Sequence, residues 1–138
     1  MQTQTQKIHQ VIENILANNI FIFASDYGTK KNTDTWTVRK SKQLKQPEEY
    51  KEFTNYNILT GCENICDIDL DCEETNLLAD YFLPPTDMEF GKSSTPRAHR
   101  IYKVIDLKPK FTRTFFDFKG DKKSMLCEVR GHQHYTFC

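Results

Sequence analysis

The chain lacks several features that would place it in a specialised class of protein. It has no apolar run near the about 18 residues that a membrane-spanning helix needs, and no signal-peptide architecture. It also has no internal repeat and no low-complexity tract. Its 138 residues fit one domain with room for a hydrophobic core. We therefore expect a soluble, cytoplasmic protein that does not associate with membranes.

The cysteines also lack a recognisable pattern. There are five of them, an odd number, and no two form a Cys-x-x-Cys pair. The spacing of Cys62, Cys66 and Cys72 matches no common zinc motif, so a metal site there is an alternative that we do not favour. We expect reduced, mostly buried thiols, as is usual inside cells.

The formal net charge is zero, but the charged residues are unevenly distributed. Residues 61–90 contain nine acidic and no basic side chains, whereas residues 91–138 contain eleven basic and four acidic ones. An acidic centre followed by a basic segment suits a metal site next to phosphates or a nucleic-acid backbone. The alternative is that the two segments only neutralise each other, and composition leaves it open.

The order of helix-like and strand-like patterns predicts an α+β fold, with helices early and antiparallel strands late. Before the acidic segment we predict a helix at 8–18, a strand at 20–24, a polar loop at 26–34, a strand at 35–38 and a short helix at 47–53. From there on we predict a helix at 73–81 and strands at 56–60, 64–70, 87–92, 99–105, 112–118, 124–129 and 133–137. The tight connection at residues 61–63 is typical of a hairpin.

The most informative segment is residues 65–71, in which carboxylates alternate with apolar residues. Alternate residues of a β-strand project from the same face, about 6.6 Å apart, so we expect Asp67, Asp69 and Asp71 to lie together. Three like charges on one face repel each other unless a cation lies among them. The usual partner is a hard divalent cation, which prefers oxygen ligands. The alternative is the solvated face of an edge strand.

Two later segments carry residues that can complete such a site. His99 opens a strand 32 residues after Asp67, and Glu128 follows 29 residues later, inside an apolar strand that ends in a glycine turn. Each residue alone is more often structural than functional. Their order along the chain, rather than any one of them, indicates a common site. The cations nearest to these two residues in the sequence are Arg97, Arg100, Lys103 and Arg130.

In this order the residues resemble the primase-polymerase (prim-pol) family of the archaeo-eukaryotic primase superfamily. These are replication enzymes, often from plasmids, phages and other mobile elements. The family has an Asp-x-Asp/Glu strand, a histidine that opens a later strand, and a third acid followed by a glycine turn. Asp67 with Asp69, His99 and Glu128 are similar to these. The resemblance covers roughly residues 20–138 and includes the lead-in at residues 57–61.

The resemblance implies a metal-dependent nucleotidyltransferase, a DNA primase or DNA polymerase that acts on a DNA template and primer with incoming nucleoside triphosphates. It implies a two-metal mechanism with Mg²⁺ or Mn²⁺ as the cofactor. The implied site residues are Asp67, Asp69 and Glu128 for the metal ions, His99 for catalysis and for the triphosphate, and Arg97, Arg100, Lys103 and Arg130 for neutralising phosphate charge.

The implied fold is an N-terminal helix and a mixed αβ unit packed with an antiparallel catalytic sheet like that of the RNA-recognition motif (RRM). We expect residues 1–138 to be a single catalytic domain and a fragment of a longer replication protein, with a helicase as a further module or partner. Two departures from the family pattern are Glu128, where Asp is more common, and residues 96–98, which replace glycines. The alternative functions are a non-catalytic DNA-binding remnant of a replication protein and a metal-dependent nuclease or phosphoesterase.

Overall fold

The computed structural model describes residues 3–25, 35–49, 55–117, 125–132 and 134–137. The loop predicted at 26–34 lies outside these ranges. The architecture is α+β, as predicted, and the sheets are antiparallel. The helices are α1 (Gln4–Ala17), α2 (Trp36–Ser41) and α3 (Glu73–Phe82). The strands are β1 (Ile22–Ser25), β2 (Asn55–Leu59), β3 (Ile65–Leu70), β4 (Glu89–Lys92), β5 (Thr95–Lys103), β6 (Thr112–Phe116), β7 (Met125–Arg130) and β8 (Tyr135–Phe137).

Helix α1 begins earlier than its apolar pattern predicts, because a capping box fixes its first turn. The hydroxyl of Thr3 accepts a hydrogen bond from the Gln6 backbone N–H, and the Gln6 side chain accepts one from the Thr3 backbone N–H. The apolar stripe of the helix then packs into the core, with Ile12 buried and Ile15 partly buried. Among the described helices none is long and apolar enough to cross a membrane.

The strand predicted at residues 35–38 is wrong, because helix α2 occupies this segment. Aromatic and β-branched residues favour a strand locally. However, Thr35 adopts an extended backbone, and its hydroxyl accepts a hydrogen bond from the Val38 backbone N–H at 3.4 Å, which is the geometry of a helix N-cap. Of the short helix predicted at 47–53, the structure describes one 3-10 turn, Pro47–Glu49.

The hairpin predicted between β2 and β3 is also wrong, because these two strands belong to different sheets. The connection is a 3-10 turn in which Gly61, Glu63 and Asn64 all have positive φ, at 83°, 51° and 62°. This left-handed run turns the chain out of one sheet and into the other. Only glycine fits at position 61, because a Cβ there would lie 2.6 Å from the carbonyl oxygen of Gly131.

The smaller sheet has the strand order β1-β2-β8, and the larger has the order β4-β5-β3-β7-β6. One face of the larger sheet packs against the smaller sheet and α1, through a core in which Ile58 of β2 meets Ile65 of β3 and Ile101 of β5. Helix α3 lies on the opposite face, where its Ala79 is buried. The strand β3 is therefore central and covered on both faces.

The cysteines of the described residues are free thiols, as the sequence predicts. Cys62 and Cys66 are buried, and Cys72 and Cys127 are partly buried. Burial, together with the neighbouring charge of Asp67, raises the pKa of Cys66 to about 11. This thiol is therefore protonated at neutral pH and packs as a small apolar group.

Candidate functional site

The carboxylates of β3 lie in the centre of the larger sheet. Asp67 is fully buried and Asp69 is 8% exposed. Strand β3 is paired with β5 on one side and β7 on the other. This excludes the edge-strand alternative for these two residues. Asp71 follows the last residue of β3 and is exposed. Two carboxylates, rather than three, are thus enclosed by the sheet.

The strand register brings the predicted residues together. Asp69 stands opposite His99 of β5 and opposite Glu128 of β7, and Asp67 stands opposite Arg130. Residues directly opposite each other in an antiparallel pair project from the same face. His99, Asp69 and Glu128 therefore form one row across three adjacent strands, with Asp67 and Arg130 in the next row. We call these five residues the carboxylate cluster.

Arg130 lies among the three carboxylates of the cluster. Its Nη2 is 2.5 Å from Asp69 Oδ2, its Nε is 2.7 Å from Glu128 Oε2, and its Nη1 is 3.7 Å from Asp67 Oδ2. Burial disfavours the charged guanidinium, but the charge of Asp69 and the hydrogen bond to Glu128 outweigh it and raise the pKa of Arg130. Arg130 is therefore a permanent positive charge at the centre of the cluster.

His99 is held in place by both sheets. Its Nδ1 is 3.1 Å from Asp67 Oδ2, 3.5 Å from Asp69 Oδ1 and 3.1 Å from the hydroxyl oxygen of Thr136. Its ring stacks on Phe90 with the centroids 5.0 Å apart. The three polar contacts all use Nδ1, so among the described residues Nε2 is the ring nitrogen that a ligand could bind. Thr136 belongs to β8 in the smaller sheet, and sequence analysis missed it because no local pattern marks a contact between two sheets.

Asp67 carries an unusual buried oxygen. Its Oδ1 is buried and has no hydrogen-bond partner among the residues that the structure describes. A buried carboxylate oxygen without a partner costs free energy, and a cation would remove that cost. The donor set thus fits a divalent cation in its chemistry. As the residues stand, however, no group of three or more His, Cys, Asp or Glu in the described ranges is arranged to hold a metal ion. The carboxylates surround the guanidinium of Arg130 instead.

The pKa values around the cluster reflect the crowding of like charges. Burial raises the pKa of Asp69, and the charges of Arg130 and His99 oppose this rise. Asp71 is exposed as a residue, but desolvation by the groups packed around its carboxyl, followed by the neighbouring charge of Asp69, raises its pKa to about 6. A cation placed among these groups would lower both pKa values, because it favours the charged carboxylates.

The structure does not bring the other predicted phosphate ligands into the cluster. Arg100 is 1% exposed on the opposite face of β5, where its Nη1 is 2.7 Å from Asp80 of α3. Arg97 donates two hydrogen bonds to Asp80, both at 2.8 Å, and two to Glu89. Lys103 is exposed at the far end of β5. Hydrogen bonds from the two arginines lower the pKa of Asp80 to about 2, and this ion-pair network went unrecognised in the sequence.

We expect the free energy of unfolding to fall as the pH rises above the ordinary pKa of histidine, about 6.5. Burial lowers the pKa of His99, but the hydrogen bond that its protonated Nδ1 donates to Asp67 and the charges of Asp67 and Asp69 outweigh this effect and raise the pKa. The folded protein thus holds this proton more tightly than the unfolded chain. The stabilisation is complete below the ordinary pKa and is lost as the pH rises through the raised one.

Thermal unfolding of the wild type and of His99→Gln at pH 6 and pH 9 checks this expectation. The melting temperature of the wild type should be higher than that of the variant, and this difference should be larger at pH 6 than at pH 9. His9→Gln on α1 is the control for losing an imidazole elsewhere. The same difference between wild type and His99→Gln at both pH values would contradict the expectation.

Comparison with known proteins adds no family to these observations. No model of a known protein family matches the chain, and no curated protein matches its sequence. The geometry of the carboxylate cluster is therefore the basis for assigning a function.

Proposed function

We propose that this chain is a catalytic domain of a metal-dependent nucleotidyltransferase, a DNA primase or DNA polymerase. The observation that carries the proposal is the row of His99, Asp69 and Glu128 across three adjacent strands, with the buried Asp67 beside it. These residues come from three separate segments of the chain, and their convergence on one face of one sheet supports a common role. Both the substrate, a nucleoside triphosphate, and the DNA template are polyanions that a cation-assisted site would accept.

Two divalent ions would be held by Asp67, Asp69 and Glu128. The unpartnered oxygen of Asp67 supports this assignment, and carboxylate oxygens are the ligands that Mg²⁺ and Mn²⁺ prefer. When bound, such ions stabilise charge on the phosphate oxygens and activate the attacking 3′ oxygen.

The remaining residues of the cluster would orient the triphosphate. His99 is fixed by Asp67, Thr136 and the ring of Phe90, so its Nε2 can offer a directed hydrogen bond to a phosphate oxygen. Its raised pKa favours the imidazolium, which attracts phosphate more strongly than the neutral ring. Arg130 is the phosphate-neutralising arginine of this proposal, because Arg97 and Arg100 are paired with acids near α3.

The strand order supports an RRM-like sheet as part of the proposal. The elements of the larger sheet follow the β-α-β-β-α-β pattern along the chain, in the order β3-α3-β4-β5 with β7 as the last strand. Residues 104–111 and β6 stand in place of the second helix. The spatial order β4-β5-β3-β7 sets the first and last strands of that pattern side by side. The carboxylate cluster lies on the face opposite α3. Part of this face, around Ile65 and Ile101, is covered by α1 and the smaller sheet, and the cluster lies next to that covered part.

One observation favours a second candidate, a DNA-binding replication module without catalysis. Arg130 already neutralises Asp69 and Glu128 through short contacts. A cluster that is neutralised by its own arginine does not need a metal ion for its stability. In that case the exposed cations, such as Lys103, would bind a DNA backbone, and the cluster would only join the strands.

A primer-extension assay separates these functions. Labelled primed and unprimed single-stranded templates are incubated with deoxynucleoside or ribonucleoside triphosphates and Mg²⁺ or Mn²⁺, and DNA binding is measured in parallel by gel shift. Nucleotide incorporation that requires the divalent ion supports the proposal. DNA binding without incorporation supports the second candidate. Shortening of the labelled strand would instead indicate a nuclease, and the absence of all three would overturn each of these functions.

His99→Ala is expected to raise the apparent KM for the incoming nucleotide by at least about tenfold, since a charge-assisted hydrogen bond is worth about 1.5–3 kcal/mol. Turnover falls as well if the contact strengthens in the transition state. The melting temperature of the same sample is measured alongside. A lower melting temperature with an unchanged KM would mean that His99 only joins the sheets. His9→Ala serves as the control.

A further inference from the structure

Helix α3 presents its large apolar side chains to solvent. The exposed side chains are Leu77 at 69%, Leu78 at 50%, Tyr81 at 82% and Phe82 at 79%. The side that packs on the sheet carries smaller residues, with Ala79 buried and the hydroxyl of Thr75 bonded to the Leu126 carbonyl at 2.9 Å. A surface helix normally turns its apolar stripe towards the core. We call these four exposed residues the α3 outer stripe.

The sheet beside this helix is also incompletely covered. Leu70 of β3, Cys127 of β7 and Phe115 of β6 form a row on the α3 face. Leu70 is buried near the helix, Cys127 is partly buried, and Phe115 is 50% exposed. The hydroxyl of Thr75 is bonded to β7. Leu78 and Phe82 follow Thr75 by three and seven residues, so they lie on the same side of the helix, towards β7. Leu78, Phe82 and Phe115 are therefore exposed apolar side chains on the same face of the molecule, and we call the surface between α3 and β6 the adjoining groove.

The charges around this surface define what it can bind. Glu73 and Glu74 are exposed at the start of α3, and residues 61–90 contain no basic side chain. Asp80 is different, because Arg97 and Arg100 neutralise it. The outer stripe of a second copy would add its own acids to this surface and no basic side chain, because α3 contains none, so like charges would accumulate. A partner with basic residues would avoid this repulsion.

We propose that the α3 outer stripe and the adjoining groove are the docking surface for a basic amphipathic helix of a partner protein. The apolar face of that helix contacts Leu78, Phe82 and Phe115, in the helix-in-groove mode. Its lysine or arginine side chains lie on the α3 side, near Glu73 and Glu74. Arg113 is exposed on β6, at the opposite edge of this surface. Its positive charge repels basic side chains of the partner helix, which therefore face α3 rather than β6. This surface lies on the face opposite the carboxylate cluster, so the proposal does not depend on any catalytic activity.

Two synthetic helical peptides of about 18 residues test the proposal, one built of leucine and lysine and the other of leucine and glutamate. Fluorescence anisotropy measures their binding to the full chain. We expect the lysine peptide to bind at least about tenfold more tightly than the glutamate peptide, and Leu78→Ser/Phe82→Ser to lose at least about tenfold in affinity. Glu73→Gln/Glu74→Gln should weaken binding and make it less sensitive to salt.

The control is Val11→Ser/Ile105→Ser, which removes two exposed apolar side chains away from α3 and should bind as the wild type does. Circular dichroism establishes that each variant is folded, and since all the substituted side chains are exposed, folding should be retained. Equal binding of the two peptides, or unchanged affinity in Leu78→Ser/Phe82→Ser, would overturn the proposal. Sedimentation that shows a dimer dissociated by the same variant would also overturn it, because the occupant would then be a second copy.

Discussion

The Asp67→Asn variant is expected to lose at least about 100-fold in the rate of nucleotide incorporation, because a cation-binding carboxylate stabilises the transition state by several kcal/mol. Asparagine keeps the shape and one oxygen of the side chain but removes its charge. DNA binding should stay the same or improve, since the change removes a negative charge near a polyanion. Primer extension and gel shift on the same preparation measure the two effects.

Asp87→Asn is the matched control, because Asp87 also lies in the acidic segment but is exposed and outside the carboxylate cluster. Its rate should equal that of the wild type. Because Asp67 is fully buried, the melting temperature is recorded for every variant. A folded Asp67→Asn protein that extends primers at the wild-type rate would remove Asp67 from the active site.

The Arg130→Gln variant is expected to be less stable than the wild type by about 2–3 kcal/mol. Breaking a fully buried ion pair costs about 3–5 kcal/mol, and Arg130 retains 20% of its side-chain exposure, which reduces the cost. The loss arises because Asp67, Asp69 and Glu128 then face one another without the guanidinium. Denaturant unfolding in the presence of a chelator measures it. Arg113→Gln, an exposed arginine on β6, should change stability far less.

Divalent ions should reverse this loss in part. If Arg130 and the ions compete for the same carboxylates, Mn²⁺ raises the melting temperature of Arg130→Gln more than that of the wild type. An equal rise in both proteins would show that the ions bind without displacing the guanidinium. No rise in either protein would show that the carboxylates do not hold metal, and the second candidate function would then be preferred.

The central part of the site could be predicted from the sequence because its pattern is local. Alternation of polar and apolar residues has a period of two, which fixes the faces of a strand without knowledge of its neighbours, so Asp67 and Asp69 were correctly assigned to one face. Helix α3 was predicted almost to the residue because Pro84 and Pro85, which end it, are also a local signal. The presence of His99 and Glu128 on the two adjacent strands followed from resemblance rather than from any local pattern.

The parts that could not be predicted depend on contacts between distant segments. Residues 61–63 look like a hairpin turn, but the positive φ values at Gly61, Glu63 and Asn64 carry the chain into a second sheet. Arg100 was grouped with the phosphate ligands because its charge is visible in the sequence, whereas its partner on α3 is not. The same limit applies to Arg130, whose contacts with three carboxylates of other strand positions could not be recognised from the sequence.

The contact between Thr136 and His99 joins the two sheets. The position of the His99 ring therefore depends on how the two sheets pack against each other in the core. The hydroxyl belongs to a strand of the smaller sheet and the imidazole to a strand of the larger one. The two sheets are joined in the core by Ile58 and Ile101. A core substitution that lets one sheet slide against the other would therefore misalign the imidazole while leaving every helix and strand intact. A substitution in the core can then change the geometry of the site without replacing any residue of the carboxylate cluster.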